Sequence, residues 1–313
     1  MRGWFFFGKG RVNVRTLAIY GLEVVGVQLA LTLANQVDEL LLLDPDEQRA
    51  VAVANDLQSA GLALPAKQIK AQAWADLKRA QVLVVALGPA EVVQPDLSAV
   101  VAAVRVAAPQ VQAADFTGVV VNLTQPNEAT TAWLQATWQL PPQRVLGSGT
   151  LVDTQQLHQA VAAALHLAPA SVTGYVYGQH AGQIVPAWST VQVDGRPLSA
   201  LPSGHFDQQQ VQTNARLMAY YVIRGQAGQL AAQTAANRLL GAIFQDQQLV
   251  VPAAVFHPQY GGYVSFPVRV GRQGVDTYLL LDLYPVEQAQ IQVAAETIAT
   301  QVAELQQLNG KQP

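Results

Sequence analysis

The sequence predicts an α/β protein: a doubly wound parallel sheet with helices on both faces, followed by an α+β unit in which strands and helices no longer alternate. Three observations carry this expectation. Short apolar runs and helix-length segments take turns from residue 15 to residue 138. After residue 146 the alternation is replaced by longer helical stretches and clustered strand-like pieces. Finally, a chain of 313 residues, 50% of them apolar, can bury a large core.

Residues 15–20 form a short β-like run that Gly21 breaks, and residues 24–33 carry a helical pattern that ends near Asn35. Residues 39–43 are nearly all leucine, as a strand covered on both faces requires. Asp44-Pro45 ends that strand ahead of a helix over 46–60. Strands at 82–86 and 119–123 then alternate with helices within 96–107 and over 126–138. Beyond residue 146 a helix spans 151–165, strand-like pieces lie around Tyr175 and at 189–193, and two helices cross 207–245. Strands at 249–256, 263–270 and 277–283 follow. The closing helix aligns Ile291, Ala294, Ile298, Val302 and Leu305 on one stripe, so it packs across the body.

Composition excludes several function classes. The 18 basic and 21 acidic residues nearly cancel and no Lys/Arg run is present, so a nucleic-acid partner is not expected. A small molecule or a protein is the expected partner. The absence of cysteine excludes disulfides, thiolate metal ligands and cysteine nucleophiles, and it fits a cytoplasmic chain. Apolar runs such as residues 40–43 are far too short to span a bilayer, so no membrane partner is expected, and no metal site is anticipated. Residues 1–14 read as an N-terminal extension whose Trp4-Phe-Phe-Phe7 would need covering by a partner subunit.

Gly21-Leu-Glu-Val-Val-Gly26 stands between a strand and a helix, where a Rossmann-type dinucleotide fold carries Gly-x-Gly-x-x-Gly and rests a pyrophosphate on the helix N-terminus. Gly21 and Gly26 match, but the middle glycine is Glu23. A carboxylate ~5 Å from a phosphate charge, at an effective dielectric of about 20, is repelled by roughly 3 kcal/mol, and rotation of Glu23 into solvent reduces that penalty. Asp44 ends the second strand, the place from which a carboxylate accepts hydrogen bonds from an adenosine ribose; the other reading is a helix cap ahead of Pro45. If a nucleotide binds, Asp44 favours NAD over NADP. The chain thus divides into the extension 1–14, a dinucleotide-binding unit 15–146 and an α+β catalytic or substrate unit 147–313.

Gly147-Ser-Gly-Thr-Leu-Val-Asp-Thr154 and Gly178-Gln-His-Ala-Gly182 set one carboxylate, Asp153, and one imidazole, His180, in punctuated segments. An Asp that accepts a hydrogen bond from one ring nitrogen fixes the tautomer and leaves the other nitrogen to move a proton. A histidine between glycines also reads as a turn residue or a satisfied core histidine, and spacing alone leaves both readings open.

These two segments, with Ser171-Val-Thr-Gly-Tyr175 and Ala187-Trp-Ser-Thr-Val191, occur in an order and at separations that resemble the lactate/malate dehydrogenase family, above all its L-2-hydroxyisocaproate dehydrogenase branch. The likeness covers roughly residues 15–308. It implies hydride transfer between a nicotinamide and the carbon bearing a hydroxyl, with His180 moving the hydroxyl proton and Asp153 orienting it. It also implies NAD as cofactor, a small 2-oxo or 2-hydroxy acid as substrate, and a homodimer or homotetramer.

Other positions depart from what the resemblance implies. Gln156 stands where the family places the arginine that grips the substrate carboxylate, and glutamine brings neither full charge nor the guanidinium fork. The loop Gly88-Pro-Ala-Glu-Val-Val-Gln-Pro-Asp96 carries Glu91 and no arginine where a closing loop supplies a carbonyl-polarising one. Gln125-Pro126 replaces Asn-Pro, and Ala227 replaces a threonine after Arg224-Gly225. Arg105, His158, Arg224 and Arg238 are the candidate surrogate cations, and no spacing selects one of them. The expectation is an NAD-dependent 2-hydroxy acid oxidoreductase with weak or absent ordinary activity. The alternative is a catalytically degenerate homologue, a pseudoenzyme acting as a binding or structural partner.

Overall fold

The computed structural model describes residues 14–61, 68–89, 96–201, 206–225 and 227–311. The aromatic run Trp4 to Phe7 and the loop residue Glu91 lie outside these residues. The first half runs β1 (Thr16–Tyr20), α1 (Val24–Leu33), β2 (Glu39–Leu43), α2 (Glu47–Ser59), β3 (Gln68–Ala71), β4 (Val82–Val85), α3 (Leu97–Ala113), β5 (Val119–Asn122), α4 (Asn127–Trp138) and β6 (Val145–Gly147). Their strands lie in the order β3-β2-β1-β4-β5-β6, all parallel. Every residue of β1, β2, β4 and β5 is buried, which is why these strands read as near-continuous apolar runs, with Thr16, Glu39 and Asn122 as polar ends. Strand order reverses between β1 and β4, and such a reversal opens a crevice at the carboxyl ends of the strands.

The second half runs α5 (Leu151–Leu165), β7 (Val172–Thr173), β8 (Val176–Gly178), β9 (Ile184–Pro186), β10 (Gln192–Val193), β11 (Arg196–Pro197), α6 (Gln208–Arg224), α7 (Gln229–Phe244), β12 (Leu249–His257), β13 (Gly262–Gly271), β14 (Gly274–Tyr278) and α8 (Pro285–Lys311). Antiparallel pairing of Ala254 in β12 with Gly147 in β6 carries the sheet on through β13, β8 and β9. The sheet is therefore continuous from the parallel half into the site-bearing half.

Three details differ from the sequence reading. Strands β3, β6, β9 and β11 were not anticipated; β3 is a short edge strand with polar residues, and the others have three residues or fewer. Helix α3 extends to Ala113 through Pro109 because its buried stripe of Val104, Ala107 and Val111 continues past the proline. The strand expected at 277–283 instead ends at Tyr278, and Leu280 is 84% exposed. The leucine run there mimics a strand, whereas Gly274, at φ +93°, starts β14 earlier by closing a tight hairpin against Gly271. Helix α8 buries Ile291, Ala294, Ile298 and Leu305 and packs on α3, α4 and β13, as its stripe requires.

Candidate active site

Asp153 lies in the first turn of α5, where the partial positive charge of the helix N-terminus favours a carboxylate. His180 lies in the turn after β8. Gly178 sets that turn at φ +92°, and a Cβ there would stand 2.3 Å from the Gln183 carbonyl oxygen. The two side chains meet with His180 Nδ1 2.6 Å from Asp153 Oδ2, and both residues are buried. A contact this short between an imidazole and a carboxylate is a charge-assisted hydrogen bond.

A further carboxyl group, which the sequence reading passed over, holds the backbone of this turn. Glu128 is the second residue of α4, two after Pro126, and its Oε1 accepts a hydrogen bond from the His180 backbone N–H at 3.0 Å. The Ser265 hydroxyl of β13 donates to the same oxygen at 2.6 Å and accepts from the Thr150 N–H at 3.1 Å. Complete burial pushes the Glu128 carboxyl above the usual carboxylate range, while the bonds from Ser265 and His180 pull it back down. Its other oxygen has no hydrogen-bond partner among the described residues. Three elements remote in sequence thus fix one imidazole.

At the reversal between β1 and β4 lies a cavity of about 470 Å³, walled by the Gly21 turn, Asp44, Arg49 and the apolar face of α3. Both glycines are demanded by packing: a Cβ on Gly26 would lie 1.9 Å from the Gly21 carbonyl oxygen, and one on Gly21 2.5 Å from that of Ala86. Asp44 is buried, and its Oδ2 and Oδ1 accept from the N–H groups of Leu22 at 2.6 Å and Asp46 at 2.8 Å. The helix-cap reading of Asp44 is corrected, because Asp46 caps α2 by accepting from the Gln48 and Arg49 N–H groups. Glu23 is half-exposed, with Arg49 Nη1 3.9 Å from its carboxylate and 3.8 Å from that of Asp44. The cavity suits the adenosine end of a dinucleotide, with an apolar slot beside a carboxylate. Its diphosphate end is less suited, because a carboxylate stands at the N-terminus of α1 and the Leu22 N–H is already engaged.

A sequence profile of the lactate/malate dehydrogenase α/β C-terminal domain matches residues 150–308. The chain belongs to the lactate/malate dehydrogenase family. Among its relatives, L-lactate dehydrogenase 1 of Staphylococcus aureus (strain bovine RF122 / ET3-1) is 27% identical over 311 residues, covering 93% of this chain and 97% of the relative. The minor L-lactate dehydrogenase of Enterococcus mundtii, solved with ligands bound, superposes with a TM-score of 0.82 at 24% identity, covering 93% of this chain and 98% of that one. The lactate dehydrogenase of Cryptosporidium parvum, solved with lactic acid and NAD, gives 0.81 at 23% identity, covering 96% and 99%.

Within this dehydrogenase-family fold, Gln156 lies one helical turn after Asp153 on α5, and both residues line a second cavity of about 330 Å³. Ala181, next to His180, also lines it, and Gln183 with Gln212 and Arg216 of α6 adds to its polar lining. None of Arg105, His158, Arg224 and Arg238 lines this cavity; Arg216, which the sequence reading missed, does. The missed signal is helical spacing, since Gln212, Ala215, Arg216, Ala219 and Ile223 share one face of α6 and only one of them is charged. Gln125 lines the dinucleotide-side cavity, and its Oε1 is drawn back onto the Asn127 N–H at 3.0 Å. Ala227 is exposed just before α7. Among the described residues no three His, Asp or Glu side chains are grouped to hold a metal, and no helix is long and apolar enough to cross a membrane.

Proposed function

We propose that the chain is an NAD-dependent 2-hydroxy acid/2-oxo acid oxidoreductase whose activity on simple lactate-like substrates is weak or absent. The observation that carries this reading is the 2.6 Å contact between His180 Nδ1 and Asp153 Oδ2 beside a small cavity. With Nδ1–H donating to the carboxylate, Nε2 takes the hydroxyl proton as a 2-hydroxy acid is oxidised and returns it on reduction. Asp153 fixes the tautomer and stabilises the imidazolium. When bound, NAD supplies the hydride acceptor and its reduced form the donor; Asp44 would meet its ribose and the Gly21–Gly26 turn its backbone side.

The weakness follows from what surrounds the pair. Exchanging the arginine of the family for Gln156 forfeits about 1.5–3 kcal/mol of charge-assisted binding. Gln125 spends its carbonyl oxygen on its own helix start. The Glu23 carboxylate opposes a diphosphate, although its exposure and Arg49 screen it. That last feature favours the second reading, a catalytically degenerate homologue acting as a binding or structural partner. We also place a homodimer or homotetramer contact on α6 and α7, where Leu217, Tyr220, Tyr221 and Leu230 are 46%, 53%, 69% and 76% exposed.

NADH fluorescence titration, followed by NADH absorbance with a panel of 2-oxo acids, tests the proposal. Measurable NADH binding with slow turnover is expected, and Glu23→Gly tightens binding by about tenfold. Brisk turnover of a simple 2-oxo acid overturns the weak-activity reading. No NADH binding by either protein overturns the oxidoreductase reading in favour of the degenerate one.

A further inference from the structure

We propose that Arg216 on α6 is the anion anchor of the cavity beside His180, and that this cavity takes a small carboxylate bearing an apolar side chain. The inference rests on the oxidoreductase reading for the identity of the reacting group, but the anchor itself is argued from the cavity. Its walls come from α5, the His180 turn with β9, and α6. At about 330 Å³ it lies at the small end of ligand sites, which run from about 300 to 1,000 Å³.

Arg216 is the sole cation among the described residues lining this space, and it makes no hydrogen bond or ion pair with any of the described residues. Its guanidinium is therefore uncommitted, while the Gln156 position on α5 offers only an amide. The one carboxylate among the described lining residues, Asp153, is bound to His180. Reduction of a 2-oxo acid requires a protonated His180, and in that state the His180–Asp153 pair is neutral overall. An incoming carboxylate then meets Arg216 as the one cation among the described lining residues. A guanidinium offers the two parallel N–H donors that a carboxylate accepts. Leu157, Val176, Ile184, Pro186 and Ile223 form an apolar part of the wall that suits an aliphatic side chain, with Gln183 and Gln212 as its neutral polar members.

The test uses the full chain and two isosteric probes, 4-methylpentanoate and 4-methylpentanamide, in calorimetric or NMR titrations. The carboxylate is expected to bind about tenfold or more tightly than the amide. Arg216→Gln is expected to weaken carboxylate binding by about 10- to 100-fold and to leave the amide unaffected. Arg216→Lys retains part of the affinity, and moving the guanidinium back to α5 with Gln156→Arg in the Arg216→Gln background restores it. Because Arg216 is exposed on α6, these variants are expected to keep the wild-type unfolding midpoint. Equal carboxylate affinity in the wild type and Arg216→Gln overturns the proposal, as does failure of the wild type to bind the carboxylate. NADH-dependent turnover that Arg216→Gln leaves unchanged sinks the anchor and spares the oxidoreductase reading. Arg216-dependent carboxylate binding without any turnover sinks that reading and spares the anchor.

Discussion

Two buried histidines in this chain sit in opposite chemical settings. His180 has a carboxylate on Nδ1 at 2.6 Å and a second carboxyl group on its backbone N–H. His257, at the end of β12, has no hydrogen-bond partner on either ring nitrogen among the described residues, and the rings of Tyr260, Phe266 and Tyr278 surround it. Both residues are less than a tenth exposed. Burial alone therefore says nothing about chemistry. A histidine prepared to move protons needs a fixed tautomer and a neighbour that welcomes its charge, and only His180 has these. Burial pushes the His257 imidazole below its usual range, with nothing to compensate.

The most forceful way to break this comparison is to remove the carboxylate from His180. Asp153→Asn is expected to reduce any measured 2-oxo acid turnover by about 100-fold or more, because a correctly held general acid supplies about that factor. Imidazole nitrogen NMR gives a second readout that needs no turnover: the wild type shows a single Nδ1–H tautomer, and the variant shows a mixture. Unchanged turnover together with an unchanged tautomer would remove Asp153 from the argument.

A smaller effect is expected at Glu128, which touches the backbone of His180 and not its ring. Glu128→Leu leaves the His180 N–H and the Ser265 hydroxyl buried without their acceptor, at a cost of about 2–4 kcal/mol in urea unfolding. Glu128→Gln keeps an acceptor oxygen and removes the buried ionisable group. Because burial raises the folded-state pKa, the stability linked to its protonation is complete below the unfolded value and is lost as pH rises through the folded one. The glutamine variant therefore gains on the wild type as pH rises. A leucine variant as stable as the wild type would show that this network holds nothing.

The difference between the two histidines was only partly legible in the sequence. Local patterns gave β1, α1, β2 and α5 to within a residue, because an apolar run or a helical stripe is written in consecutive residues. Asp153 and His180 stood out through punctuated segments and family resemblance. Glu128 did not, since its partners lie 52 and 137 positions away and a glutamate in the first turn of a helix ordinarily reads as dipole complementarity. Arg216 is illegible for a related reason: no sequence spacing ties it to Asp153 or His180, and the face of α6 acquires meaning only when packed on α5. His257 was invisible, because nothing in Phe256-His-Pro258 foretells three aromatic neighbours from two other strands and a turn.

The gentlest prediction tests the unpartnered histidine directly. In the unfolded chain His257 takes up a proton near its ordinary value of about 6.5, whereas the folded state keeps it neutral to lower pH. The folded-state value is depressed, so the stability tied to this group is fully present above the unfolded pKa and is lost as pH falls toward the folded one. His257→Phe keeps an aromatic ring among Tyr260, Phe266 and Tyr278 and removes the titration. Between about pH 7.5 and about pH 5 the wild type should lose up to about 2 kcal/mol relative to the variant. Urea unfolding at the two pH values measures this difference, and subtracting the variant cancels the other titrating groups, Glu128 and His158 included. Turnover should be untouched, since His257 lines neither the cavity at the Gly21 turn nor the one that Asp153 lines. Parallel pH slopes for the two proteins would mean that His257 finds a partner in solution, and the contrast with His180 would then rest on geometry alone.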